Sequence, residues 1–182
     1  MKGLVIVGDY FEDVEFIAPI DVWTRHKDEI TIVSMLNRLQ VTSKLGIPMI
    51  VHKLYKEINL DEFDFLFIPG GPGSFQVLAN IKEVDEVISY FSNRNKLVCA
   101  ICAAPMLIGR LGFLKNKNYT IYPGFEREVL GGNYLRHEGV VKDGNIITGK
   151  SMYYSIPFAL KVIEHFYGLE ETNKHELALT GE

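Results

Sequence analysis

Cys102 is the residue of this chain best placed to do chemistry. It follows a predicted apolar strand at residues 96–100 and precedes Pro105 by three positions. A strand, a tight turn and an early proline together predict a strand that leads directly into a helix. The free N–H groups at a helix start stabilise a thiolate. We therefore expect Cys102 to ionise easily and to act as a nucleophile.

Cys99 lies three positions earlier and is interpreted differently. It stands within the apolar run, between Val98 and Ala100, where a cysteine behaves as a small apolar residue. The two cysteines also form a Cys-x-x-Cys pair, which leaves a Cys99–Cys102 disulfide cycle open as an alternative. A redox pair of that kind needs both sulfurs near a helix start, so the pattern favours one reactive thiol.

Two further segments carry groups that could serve this thiol. Glu15 precedes the apolar residues 16–19, and a carboxyl that faces inward there would be desolvated and protonated, so that it could donate a hydrogen bond to sulfur. The Pro-Gly-Gly-Pro-Gly segment at residues 69–73 could bring backbone N–H groups close to a ligand oxygen. The alternatives are an exposed acidic residue in a first helical turn and a turn that simply requires glycine.

Apolar strands alternate with helices along the chain. Strands are predicted at residues 4–7, 29–33, 64–68, 96–100 and 120–122, with hairpins at 41–52 and 139–148. Helices are predicted at residues 15–25, 84–91, 104–111 and 155–167. This order predicts one α/β domain over residues 1–168, with a mostly parallel sheet, helices on both faces, and a polar tail at 169–182 that frays. Ligands bind at the carboxyl ends of such strands, where Cys102 and the glycine segment would meet.

Composition narrows the class of function. The chain has 182 residues and a net charge of −4, so it offers no basic patch for nucleic acid or an anionic membrane. No apolar run approaches the roughly 20 residues that span a bilayer. The first residues enter a strand without a secretory pattern, so we expect a cytoplasmic protein. The five histidines show no metal-binding spacing, and neither a metal nor another cofactor is expected.

Four motifs in order resemble the ThiJ/PfpI superfamily. They are Glu15 with Pro19 and Asp21, the segment 69–71, the segment 100–105, and the paired segments 122–126 and 141–148. The resemblance covers nearly the whole chain. It implies a flavodoxin-like three-layer α/β sandwich, shared with class I glutamine amidotransferases, and a homodimer.

The resemblance also implies roles for individual residues. Cys102 would be the nucleophile, Glu15 its hydrogen-bond partner, and the N–H groups of Gly71 and Ala103 an oxyanion hole, with Gly70 and Tyr122 beside the pocket. The implied activity is glyoxalase-like or deglycase-like, without a cofactor, on a small aldehyde or a glycated group. The alternative is an oxidative-stress sensor or chaperone that uses oxidation of Cys102 and turns over nothing.

Two positions depart from the family pattern. The peptidase branch has a histidine directly after the nucleophile, where this chain has Ala103, so peptidase activity is not expected. Many relatives with glyoxalase activity have a histidine where this chain has Tyr122, and a phenol is a poor base at neutral pH. The segment 149–155 also differs from the usual Arg-Gly-Pro-Gly-Thr and would change the pocket wall or the dimer surface.

Overall fold

The computed structural model describes residues 1–182, and a seven-stranded sheet runs through its centre. The strands of the chain are β1 (Lys2–Val7), β2 (Glu29–Ser34), β3 (Gln40–Thr42), β4 (Pro48–Ile50), β5 (Lys53–Leu54), β6 (Phe65–Ile68), β7 (Leu97–Ile101), β8 (Asn118–Tyr119), β9 (Asn133–Tyr134), β10 (Val140–Asp143) and β11 (Ile146–Gly149). The order in the sheet is β10-β11-β7-β6-β1-β2-β5, and β10 alone is antiparallel.

Helices cover both faces of this sheet. They are α1 (Asp13–Arg25), α2 (Pro72–Gln76), α3 (Lys82–Asn93), α4 (Pro105–Gly109) and α5 (Ser155–Thr180). Alternate residues of β6 enter two separate apolar cores, because successive side chains of a strand point to opposite faces. Leu66 and Ile68 pack with α3 and α4, whereas Phe65 and Phe67 pack with α1 and α5. The predicted three-layer α/β sandwich is therefore confirmed.

The strand order determines where the candidate residues meet. From β1 the chain moves to β2 and β5 on one side, and then to β6, β7 and β11 on the other. The carboxyl ends of β1 and β6 therefore flank the point at which the topology reverses, which is where ligands bind in open α/β sheets. The segments that follow β1, β6 and β7 carry Glu15, Gly71 and Cys102, respectively.

Both predicted hairpins are confirmed, as the antiparallel pairs β3–β4 and β10–β11. The strand predicted at residues 120–122 is wrong. β8 ends before it and pairs in parallel with β9, while the Tyr122 N–H donates to the carbonyl of Cys102 at 2.8 Å. The segment is thus held by the elbow of Cys102 rather than by a strand.

The fraying expected after residue 168 is also wrong. Gly168 interrupts α5 with a positive φ of 83°, but the helix then continues to Thr180. Its second half places Thr172 and His175 in buried positions, and His175 Nε2 lies 3.0 Å from the Val22 carbonyl oxygen of α1. A polar sequence is therefore held in place by one buried side. None of the helices is both long enough and apolar enough to cross a membrane.

Candidate active site

Cys102 occupies a strained turn directly after β7. Its φ is +63°, a conformation that costs a residue with a side chain about 1 to 3 kcal/mol. The Cys102 N–H donates to the Gly149 carbonyl at 2.9 Å, and its own carbonyl accepts from Tyr122, so the backbone is held on both sides. Such a turn projects the side chain above the end of the sheet, as in a nucleophile elbow.

The glycine segment after β6 lies against this turn. A Cβ on Gly70 would lie 2.5 Å from the Cys102 Cβ and 2.8 Å from the Ile101 oxygen, so only glycine fits there. Gly71 has a φ of +89° and begins α2, where its carbonyl accepts from the Ser74 hydroxyl at 2.8 Å. The N–H groups of Gly71 and Ala103 both interact with the Cys102 sulfur, so the structure brings together the two predicted oxyanion donors.

Glu15 extends from the first turn of α1 into the same space. Its side chain is 1% exposed, and Oε2 has no hydrogen-bond partner. Burial raises the pKa of Glu15 from 4.5 to about 7, although the Cys102 thiol and the Met152 N–H lower it. A carboxyl that titrates near neutral pH beside a thiol has the properties of a general acid or base.

The surroundings of Cys102 oppose the expectation that its thiol ionises easily. Burial raises the pKa of its thiol well above the ordinary value, and the negative charge of Glu15 raises it further, while the N–H groups of Gly71 and Ala103 oppose the shift. The helix that follows, α4, is one turn of five residues rather than the predicted span 104–111, so its dipole is small. Burial therefore favours a thiol beside the Glu15 carboxyl over a free thiolate.

A cavity of about 270 Å³ opens above Cys102. Its wall includes five residues expected from the sequence, which are Cys102, Glu15, Gly71, Ala103 and Tyr122, while Gly70 lies directly behind them. The remaining lining residues are Glu12, Lys44, Pro72, Phe75, Phe125, Ser151 and Met152. Of these, Pro72, Phe125, Ser151 and Met152 lie in segments that the sequence had already marked, namely 69–73, 122–126 and 149–155.

The cavity lining contains both polar and aromatic groups. The Lys44 ammonium lies 2.8 Å from a Glu12 carboxylate oxygen. The rings of Phe75 and Phe125 are tilted against each other, with centroids 4.9 Å apart. Phe125 lies in the motif at residues 122–126, whereas no pattern in the sequence marks Phe75 as a pocket residue.

A second and larger cavity, about 580 Å³, lies between the ends of β2 and β5 and the start of α3. It contains no cysteine, serine or histidine, so chemistry favours the smaller cavity as the candidate active site. His137 lines neither of the two, and no group of three or more His, Cys, Asp or Glu residues is arranged to hold a metal ion.

Together, the fold and this geometry define an α/β sandwich with a cysteine at a strand-to-helix elbow. The model of the DJ-1/PfpI family matches residues 1–165, and the chain belongs to that family. The chain is 34% identical over 152 residues to a deglycase of Pyrococcus abyssi, covering 82% of this chain and 90% of that protein. It is 31% identical over 169 residues to protein DJ-1 homolog B of Arabidopsis thaliana, of whose length it spans only 38%.

Solved structures agree with the fold. The crystal structure of Drosophila melanogaster DJ-1beta superposes with a TM-score of 0.91 at 28% identity, covering 98% of this chain and 97% of that one. The structure of oxidized Toxoplasma gondii DJ-1 superposes with a TM-score of 0.88 at 27% identity, with the same coverage.

Proposed function

We propose that this protein converts small 2-oxoaldehydes, or related glycated groups, by covalent chemistry at Cys102 without a cofactor. The observation that carries the proposal is the buried, unpaired Glu15 oxygen beside a thiol that faces two N–H donors. The relative named as a deglycase gives independent support for carbonyl chemistry.

The thiol and carboxyl would act as one unit. The Cys102 sulfur attacks the aldehyde carbon, the C=O π bond breaks, and the thiol proton passes through Glu15 to the new hydroxyl. The N–H groups of Gly71 and Ala103 hold the oxygen while it carries negative charge. This step uses Glu15 as a carboxylate and does not need a resting thiolate, which fits the raised pKa of Cys102.

The second half of the reaction again uses Glu15. It removes the hydrogen of the former aldehyde carbon as a proton and returns it to the neighbouring carbon, while the hydroxyl proton moves to the neighbouring oxygen. The product is a thioester of a 2-hydroxy acid. Water cleaves the S–C bond and releases the acid and the thiol.

A panel of small aldehydes and glycated thiols, assayed with wild type and Cys102→Ser, tests the proposal. We expect turnover of at least one 2-oxoaldehyde that Cys102→Ser lacks. Turnover that survives in Cys102→Ser would reject covalent chemistry at this residue, and the lack of any turnover in wild type would reject the activity.

Oxidation of Cys102 is the second candidate function. The same two N–H donors would stabilise a sulfinate, and one structural relative, the Toxoplasma gondii protein, is described as oxidized. Intact mass after mild peroxide distinguishes the candidates, because a sensor gains two oxygens on one thiol and Glu15→Leu loses that selectivity. A loss of two daltons would instead indicate the Cys99–Cys102 disulfide.

We also infer a homodimer, which the family resemblance first suggested. Large apolar side chains lie exposed on α1 and on the β3–β4 hairpin beside it, namely Val14, Ile17, Leu45, Ile47 and Ile50. Several large exposed apolar side chains on neighbouring elements are typical of an interface. Light scattering should give twice the mass of the chain, and Ile17→Glu should give the monomer. The cytoplasmic location stays a prediction.

A further inference from the structure

We infer that the substrate carries an aromatic or bulky apolar group next to its reacting carbonyl, and that Tyr122, Phe125 and Phe75 select it. The inference rests on the proposed function, because it names the substrate class of the same site. It starts from the cavity wall, which is larger and more apolar than a three-carbon aldehyde requires.

The aromatic side of the cavity is fixed to the reactive centre by the backbone. The Tyr122 N–H donates to the Cys102 carbonyl at 2.8 Å, and the Phe125 N–H donates to the Tyr122 carbonyl at 3.2 Å. Phe75 lies on α2, the one-turn helix that begins at the proposed oxyanion donor Gly71. The backbone at Tyr122, Phe125 and Phe75 is therefore tied to the Cys102 turn and to the oxyanion donors.

These side chains leave exposed apolar area in the cavity that a bound ligand would bury. Tyr122 is 47% exposed and Met152 is 51% exposed, although both line the cavity. Phe75 and Phe125 are half-buried and pack against each other at 4.9 Å, so one edge of the pair faces the cavity. A substrate ring placed there would bury apolar area and make offset aromatic contacts.

The polar lining residues favour one orientation of the substrate. Glu12, Lys44 and Ser151 are polar, and the Glu12–Lys44 pair satisfies its own charges at 2.8 Å. An apolar substituent is disfavoured beside these groups, so we expect it against the three rings while the carbonyl oxygen faces Gly71 and Ala103. Methylglyoxal would present only a methyl group to this wall, whereas phenylglyoxal would present a full ring.

Kinetics with these two 2-oxoaldehydes test the inference. We expect kcat/KM for phenylglyoxal to exceed that for methylglyoxal by about tenfold or more, corrected for their uncatalysed rates. Tyr122→Ala and Phe125→Ala should reduce this ratio severalfold, and Phe125→Leu should restore part of it. Tyr153→Ala is the matched control, because Tyr153 is 82% exposed and does not line the cavity.

The outcomes separate this inference from the proposed function. Cys102-dependent turnover with equal kcat/KM for both aldehydes, or a ratio unchanged in Tyr122→Ala and Phe125→Ala, would overturn the inference and leave the proposed function standing. If neither aldehyde is turned over, the proposed function fails. The preference for an aromatic group is then tested by how well a ketone protects Cys102 from iodoacetamide. Stronger protection by acetophenone than by acetone, lost in Phe125→Ala, supports it, and equal protection overturns it.

Discussion

Cys99 and Cys102 lie three residues apart on the same strand and turn, yet their surroundings differ in almost every respect. Cys99 is fully buried in the core between the sheet and the helices α1 and α5, and burial alone raises the pKa of its thiol. Cys102 is partly exposed to a cavity, lies at a positive φ, and interacts with Glu15 and two N–H groups.

Burial and reactivity are therefore separable in these two thiols. Burial raises the pKa of both thiols, so burial does not distinguish the reactive one. The difference is a neighbouring base. Glu15 can accept the proton of Cys102, whereas Cys99 has only apolar neighbours.

The rate of chemical labelling should show the largest difference between the two thiols. In the native protein, we expect iodoacetamide to modify Cys102 at a rate at least about 10³-fold above that of Cys99, since Cys99 reacts only when the fold opens. Peptide mapping by mass spectrometry measures both sites in one sample. Comparable labelling of both cysteines before unfolding would show that the two thiols do not differ in reactivity.

The burial of Glu15 should cost stability as the pH rises. Because its pKa is raised from 4.5 to about 7, the protonated form fits the fold, and the stability present below about pH 4.5 is lost as the pH rises towards 7. Relative to Glu15→Gln, the free energy of unfolding of wild type should fall by about 2 to 3 kcal/mol between roughly pH 4 and pH 8. Urea unfolding at several pH values measures this difference, and parallel curves would contradict it.

Gly70 keeps the space between Glu15 and Cys102 open. Gly70→Ala would place a Cβ against the Glu15 carboxyl and 2.5 Å from the Cys102 Cβ, so one of the two must move. We expect kcat/KM to fall about 10²-fold, as for a misplacement of about 1 Å. Gly112→Ala is the control, since nothing lies within 4 Å of its Cβ and its positive φ tests strain alone. Equal losses of activity in both variants would attribute the effect to stability.

Cys99 should matter for packing alone. Cys99→Ala removes a fully buried sulfur and should cost about 1 to 2 kcal/mol of unfolding free energy, with kcat/KM unchanged once the protein is folded. Urea unfolding and the aldehyde assay together measure both quantities. A fall in kcat/KM comparable to that of Cys102→Ser would instead support the Cys99–Cys102 disulfide cycle.

Local sequence signals predicted the parts of the molecule that depend on neighbours in the chain. The strand, turn and proline around Cys102, the glycines at Gly70 and Gly71, and both hairpins follow from such signals. The parallel pair β8–β9 and the helical end of α5 depend on tertiary packing, and both were missed.

The sequence predicted which residues form the site more completely than it predicted their chemistry. Burial raises the pKa of the Cys102 thiol, and this burial depends on tertiary packing that local sequence does not show. Phe75 and Lys44 come from separate segments that only the fold brings to the cavity. Their types are ordinary for helix starts, turns and core edges, so no local pattern could mark them.

The pH dependence of kcat/KM for a 2-oxoaldehyde, in wild type and Glu15→Gln, shows whether Glu15 moves the proton of Cys102. If Glu15 accepts and returns protons at Cys102, the wild-type value should rise through pH about 7. Glu15→Gln should lose about 10²-fold or more in activity and lack this rise, while Glu12→Gln, which alters a carboxyl of the same cavity, should keep it. Wild-type activity, or the same rise, in Glu15→Gln would contradict the account.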